Sequence, residues 1–334
     1  MIILREAGKD SFEDNRDKGI SEMRLHRLEL PTPFPVGPVN AYLLAGDPLT
    51  LVDTGPKTVE AQTALERGVA AAGARLGNIR RILLTHGHTD HAGNAAWVAQ
   101  RSGAAVYLHG GDRAKVAGQR GELEHLKTFV TQAGLQNNFV ESITSQIRSV
   151  RQYLDPLSKV SPLTDGEYLP LAGERLRALH TPGHSNGHVS FYHEDGVLVS
   201  GDLLLEGISP NPIVEFSPDG KRIPTLPQYL QSLRRVLLLN CEVAHPGHGG
   251  PIANPSARAR ESITLHEQRK EEVAAAIRRI PKPLAGICEE LYQNLDDLNR
   301  MLALSEVIGH LDLLAEEKRL AITRKKGVLQ YKVK

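Results

Sequence analysis

Residues Thr85-His86-Gly87-His88-Thr89-Asp90-His91 set three histidines and a carboxylate directly after the apolar run Ile82-Leu83-Leu84. A strand entering such a loop aims His86 and His88 the same way, because alternate residues of an extended segment share a face. Asp90 and His91 then stand at the start of a helix expected over residues 90–101, placed to grip a second ion. Imidazole and carboxylate are the ligands a borderline divalent ion such as zinc prefers. The string therefore commits the chain to a strand–loop–helix unit with a metal at the strand end.

Three later segments repeat that arrangement. His180-Thr181-Pro182-Gly183-His184 follows an alternating strand, Ser200-Gly201-Asp202 ends the apolar run Val197-Leu198-Val199, and His245-Pro246-Gly247-His248-Gly249 follows a strand expected over 237–243. Each puts a metal-ligating side chain just beyond a strand, where α/β layers carry their active sites. With Val52-Asp53-Thr54-Gly55 at the front, these segments in this order resemble the metallo-β-lactamase fold superfamily over about residues 24–257.

The resemblance implies a role for each residue. His86, His88 and His184 would form one metal site, and Asp90, His91 and His248 the other, with Asp202 bridging two divalent ions; zinc leads, with iron or manganese as alternatives. Asp53 resembles the aspartate that orients a ligand instead of binding metal, as carboxylates behind metal-bound histidines do. His188 corresponds to a histidine that borders the active site in related enzymes. His180 and His245 read as hydrogen-bonded structural histidines.

The implied fold is α/β, a four-layer αββα sandwich. Strands are expected over 24–30, 40–44, 49–52 and 105–109, with helices over 59–72 and 227–239. A polar leader over 1–22 precedes a catalytic domain over 23–257. The stretch between His91 and His184 is longer than the sandwich requires. Its excess, about 110–160, is helical in pattern, with Ile143, Ile147 and Val150 at helical spacing and Leu123, Leu126, Phe129 and Val130 before them. Surface padding, a lid and a homodimer arm are the readings open for it. Over 258–334 the pattern becomes three helices and a hairpin, resembling a winged-helix-like α+β domain. The hairpin turn Arg324-Lys325-Lys326-Gly327 is basic, which suits phosphate contact and equally suits a solvated terminus.

Composition narrows the function classes. A formal net charge of +1 gives the molecule no polyelectrolyte character, so nucleic-acid binding would need a local patch. Aromatic content of 4% leaves few platforms for stacking bases. No apolar run approaches the roughly twenty residues that span a bilayer. Cys241 and Cys288 lie in apolar surroundings and suit a reducing, cytoplasmic compartment.

The expected chemistry is hydrolysis by a hydroxide held between two ions about 3.5–4 Å apart, since metal lowers the pKa of water toward about 7. Asp90 would orient that nucleophile, and Asp202 would hold the pair together and relay a proton. A small ester, thioester or lactone is the first substrate class, because the ligand set resembles glyoxalase II and the acyl-homoserine lactonases. An endoribonuclease acting on single-stranded RNA is the alternative raised by the C-terminal module. A mononuclear iron sulfur dioxygenase shares several of these ligands. A metal-sensing winged-helix regulator is a fourth reading, opposed by a ligand set larger than a sensor needs. A true β-lactamase is disfavoured, since those di-zinc enzymes usually carry cysteine where this chain has Asp202.

Overall fold

The computed structural model describes residues 24–118 and 122–334, so the polar leader expected over 1–22 lies outside the described residues. Among the described residues, six strands form one sheet in chain order. They are β1 (Leu25–Leu30), β2 (Val39–Leu44), β3 (Thr50–Val52), β4 (Arg81–Leu83), β5 (Ala105–His109) and β6 (Ser161–Leu163). The first three pair antiparallel, and β3 through β6 pair parallel. A second sheet has the order β11-β10-β9-β8-β7. Its strands are β7 (Tyr168–Leu171), β8 (Glu174–His180), β9 (Val189–His193), β10 (Val197–Gly201) and β11 (Val243–Pro246).

Side-chain alternation along β2 explains how the layers stack. Tyr42 and Leu44 point one way and join Val52, Leu83, Leu176, Phe191 and Val199 between the sheets. Ala41 and Leu43 point the other way, onto Leu65 and Val69 of α1 (Val59–Ala71). A strand covered on both faces must be apolar throughout. Every residue of β2 is buried, and each leucine contributes about 1.5–3 kcal/mol of transfer free energy. Thr58 starts α1 by accepting a hydrogen bond from the Ala61 amide.

The helix expected over 90–101 is two helices, α2 (Thr89–Ala92) and α3 (Ala95–Ser102). Asn94 breaks it. Its backbone N–H donates to the Gly55 carbonyl and its side-chain amide to the Thr54 and Pro56 carbonyls, so the chain leaves the helical path there. The outer face of the second sheet is covered by α7 (Thr225–Val236), through Leu226, Tyr229, Leu230, Leu233 and Val236. That completes the αββα order. The strand expected over 237–243 is instead a turn and loop after this helix, with Leu238 86% exposed; β11 begins at Val243.

The excursion holds α4 (Arg113–Val116), α5 (Glu122–Ala133) and α6 (Asn137–Arg151). The C-terminal stretch holds α8 (Pro255–Ala276), α9 (Leu284–Leu291), α10 (Asp297–Glu316) and a hairpin of β12 (Leu320–Lys325) and β13 (Val328–Val333). These two regions share one core. Leu126, Phe129, Val130, Phe139 and Ile143 pack with Val273, Leu304, Ile308, Leu311 and Tyr331. The apolar face of the excursion is thus buried within its own chain, against α8 and α10. The hairpin turns at Lys326 and Gly327, both with positive φ, as a two-residue turn between right-twisted strands requires. No helix among the described residues is long and apolar enough to cross a membrane.

Candidate metal centre

The ends of β4, β8, β10 and β11 deliver four loops to one rim of the sandwich. Three groups of ligand atoms gather there: His86 with His88 and His184, Asp90 with His91 and His248, and His86 with His91 and Asp202. All seven residues singled out as ligands are brought together. His86 Nε2 lies 2.9 Å from His88 Nδ1, which lies 3.0 Å from His184 Nε2. His248 Nε2 lies 3.5 Å from Asp90 Oδ2. Asp202 sits between the groups, with Oδ1 3.5 Å from His91 Nε2 and Oδ2 3.5 Å from His184 Nε2 and 3.8 Å from His248 Nε2.

The far side of each ring fixes which nitrogen is bare. His91 Nδ1 donates to Asp53 Oδ2 at 2.8 Å, His184 Nδ1 to the Asn211 carbonyl at 3.1 Å, and His248 Nδ1 to the Pro38 carbonyl at 2.7 Å. The Thr85 hydroxyl donates to Asp53 Oδ2 and so accepts from His86 Nδ1 at 3.0 Å. In the neutral form of each of these four rings Nε2 carries no proton and faces the others. His91 Nε2, His248 Nε2 and Asp202 Oδ1 are buried and have no hydrogen-bond partner. Bare nitrogens and a carboxylate oxygen converging in a dry place repel one another unless a cation stands among them. The residues present therefore fit divalent metal, and outward hydrogen bonds of this kind are what orient metal-bound imidazoles.

The local charges agree. Burial lowers the pKa of His86 well below its ordinary value and that of His88 to about 3, keeping both rings in the neutral form that ligates. Burial opposes charge on Asp90, but His91 and His248 outweigh it and hold the carboxyl down to about 2. Burial likewise opposes charge on His91, yet Asp202, Asp53 and Asp90 together push its pKa well above the usual value. Three carboxylates around one imidazole mark the rim as a place that demands positive charge.

Asp53 stands behind the His91 ring. Besides His91 it accepts from the Thr85 amide at 2.8 Å, tying the end of β3 to the metal loop. His188 borders the centre from behind. Its Nε2 accepts the Asp202 backbone N–H at 3.0 Å and its Nδ1 bonds the Thr181 hydroxyl at 2.8 Å, so it positions Asp202 and offers no nitrogen to the cleft. His180 bonds the Asn186 carbonyl and stacks on His109. His245 lies edge-on to Tyr42 outside the ligand groups, and its Nδ1 has no partner. Glycine makes room for the groups that carry or hold Asp202: a Cβ on Gly247 would lie 2.2 Å from Asp202 Oδ1, and one on Gly201 2.7 Å from His188 Nε2.

One supporting cluster escaped the sequence. Asp112 is fully buried; Oδ2 accepts from the Gly87 amide at 2.7 Å and from the Ser185 hydroxyl, and Oδ1 from Lys115 Nζ at 2.8 Å and the Gly187 amide at 2.9 Å. Lys115 also reaches Ser185 and Glu215, whose other oxygen accepts from the Asn186 amide. The cluster therefore clamps the loop carrying His86 and His88 to the loop carrying His184. No spacing in the chain announces it; an aspartate and a lysine inside an excursion are ordinary surface residues by pattern.

The model of the metallo-beta-lactamase superfamily matches residues 34–248. A probable metallo-hydrolase of Bacillus subtilis (strain 168) is 33% identical over 300 residues, 88% of this chain and 92% of that protein. An atrochrysone carboxyl ACP thioesterase of Emericella nidulans is 28% identical over 181 residues, 53% of this chain and 55% of that protein. The crystal structure of a metallo-beta-lactamase family protein from Thermus thermophilus matches with a TM-score of 0.80 at 33% identity, covering 93% of this chain and 98% of that one.

Proposed function

The chain belongs to the metallo-β-lactamase superfamily, and on that premise we propose that it is a hydrolase holding two divalent metal ions, zinc foremost, that cleaves a small thioester, ester or lactone. The observation that carries the dinuclear reading is the pair of ligand groups with Asp202 between them and their unpartnered atoms facing inward. Bound there, the ions would supply an activated water and polarise a carbonyl oxygen. The protein's own part follows from placement. Asp90 remains ionised at the open edge, where its side chain keeps 16% of its surface exposed and can accept a hydrogen bond that orients the attacking water. Asp202 is held from its backbone by His188, so its carboxylate enters the cleft in one orientation. His88 and His184 stand on the half-buried side, which leaves substrate an approach past the loop holding Asn211.

Acyl substrates are favoured by relatives named as thioesterases, although at low identity. Free Cys241 and Cys288 suit a cytoplasmic enzyme. The second reading, hydrolysis of single-stranded RNA, draws on the hairpin tip, where Arg324, Lys325 and Lys326 are all exposed. Metal analysis of the purified protein, coupled to a screen of thioesters, lactones, phosphodiesters and single-stranded RNA, tests both. Two equivalents of metal in the cleft and turnover of acyl substrates are expected. Turnover confined to phosphodiesters would overturn the acyl reading.

A further inference from the structure

Away from the cleft, imidazole and carboxylate converge a second time. His266 on α8 and Glu306 and His310 on α10 meet in full burial, at 0%, 3% and 0% exposure. Glu306 and His310 are one helical turn apart and face α8 together. His266 Nδ1 lies 3.3 Å from His310 Nε2, and Glu306 Oε1 lies 3.6 Å from His266 Nδ1.

The outward bonds again decide the protons. His310 Nδ1 sits 2.8 Å from the Glu306 carbonyl, which can only accept, so His310 Nε2 is bare. His266 Nε2 bonds the Ser209 hydroxyl at 2.9 Å. With the proton on that nitrogen, two lone pairs face each other across the 3.3 Å gap. Glu306 Oε1 is buried beside them with no hydrogen-bond partner. Burial pushes Glu306 up to about 7 and His266 down to about 4. Arg269 acts on Glu306 through space, but its guanidinium bonds Glu272 and lies over the Tyr292 ring. A proton between the rings would satisfy the nitrogens and leave the carboxylate unanswered. A cation would satisfy all three. Nitrogens 3.3 Å apart subtend about 107° at an ion bound at about 2.0–2.1 Å, close to the tetrahedral angle zinc adopts.

We propose that His266, Glu306 and His310 form a structural site for a zinc-like divalent ion that clamps α8 to α10. The clamp reaches the cleft through one loop. Ser209 caps His266, Val214 N–H donates to Ser305 Oγ at 3.2 Å, and the Asn211 side chain donates to the Leu302 carbonyl at 3.1 Å. The Asn211 backbone carbonyl is the group that orients His184. An ion between α8 and α10 therefore steadies the helix on which that ligand-orienting loop rests.

The test counts metal in three full-length proteins loaded with zinc and freed of loose ions: the parent, a His266→Gln/His310→Gln variant, and a cleft variant, His86→Ala/Asp202→Ala/His248→Ala. The Gln pair should hold one equivalent less than the parent. The cleft variant should keep one equivalent, and its Tm should fall on exhaustive chelation and recover when zinc returns. Should the Gln pair fail to fold, the cleft variant decides alone. Loaded with cobalt(II), it should show the intense visible bands of a tetrahedral nitrogen–oxygen site. A cleft variant that retains no metal, or a folded Gln pair with the parent's metal content, overturns the proposal. Failure of the dinuclear cleft would look different: a parent with fewer than three equivalents, of which the Gln pair still lacks one.

Discussion

Replacing Asp112 with alanine should cost about 3–5 kcal/mol of folding stability, the range for removing one partner of a buried ion pair. The magnitude follows from what Asp112 leaves behind. The Gly87 and Gly187 amides lose their acceptors, and an orphaned buried donor costs about 1–3 kcal/mol. Lys115 keeps Glu215 and Ser185, so its charge is not abandoned and the total stays below a simple sum. Asp112→Asn keeps the shape but turns an N–H toward Lys115 or a glycine amide, so it should lose about 1–3 kcal/mol. Both variants loosen the joint between the loops of His88 and His184. Zinc affinity should therefore fall about 10–100-fold, as it does when groups supporting metal ligands are removed. Urea titrations in chelator read the stability, and competition with a chromophoric chelator reads the affinity. An alanine variant within about 0.5 kcal/mol of the parent, with unchanged zinc affinity, would refute the idea that this cluster sets the geometry.

Asp53→Ala should weaken zinc binding about 10–100-fold in the same competition assay, because His91 loses the carboxylate that fixes its ring. Gly247→Ala should abolish both metal retention and turnover, since the added methyl would displace Asp202; an active alanine variant would show that the loop yields. In metal-stripped protein, Glu306 binds its proton more tightly folded, at about 7, than at its ordinary 4.5. Its contribution is thus fully present below about pH 4.5 and lost as pH rises through about 7. Buried histidines such as His86, His88 and His266, whose pKa values are lowered, contribute the opposite slope, so the measure is a difference: in urea titrations the parent should lose stability relative to Glu306→Gln as pH rises across that window. Neutralising Arg324, Lys325 and Lys326 together should leave turnover of a small thioester unchanged. A drop on that substrate would give the hairpin tip a role in acyl chemistry, while a salt-dependent loss confined to RNA would favour the nucleic-acid reading.

Much of this protein was legible in its sequence because the informative patterns are local. A ligand just past an apolar strand and alternate histidines on one extended segment each need only a few neighbouring residues to be read. The seven ligand candidates and Asp53 sit in such strings, and the structure draws them to one rim. The αββα order was implied by the resemblance, and the strand and helix periods suited it. Element ends were less legible: Asn94 breaks a helix through bonds to residues 54–56, and Leu237, Leu238 and Leu239 are apolar yet not a strand.

Contacts between distant segments lay beyond sequence reading. Asp112 holds Gly87 and Gly187, and Glu215 reaches back to Lys115, across spans with no period to betray them. The excursion was open to readings as surface padding, a lid or an arm, because an amphipathic helix shows that it must bury a face but not against what. Its partner is the C-terminal helices of the same chain. His266, Glu306 and His310 were silent for the same reason. Periodicity records which side of an element faces inward, whereas the chemistry of a buried cluster depends on which other element arrives there, and that is decided when the layers pack.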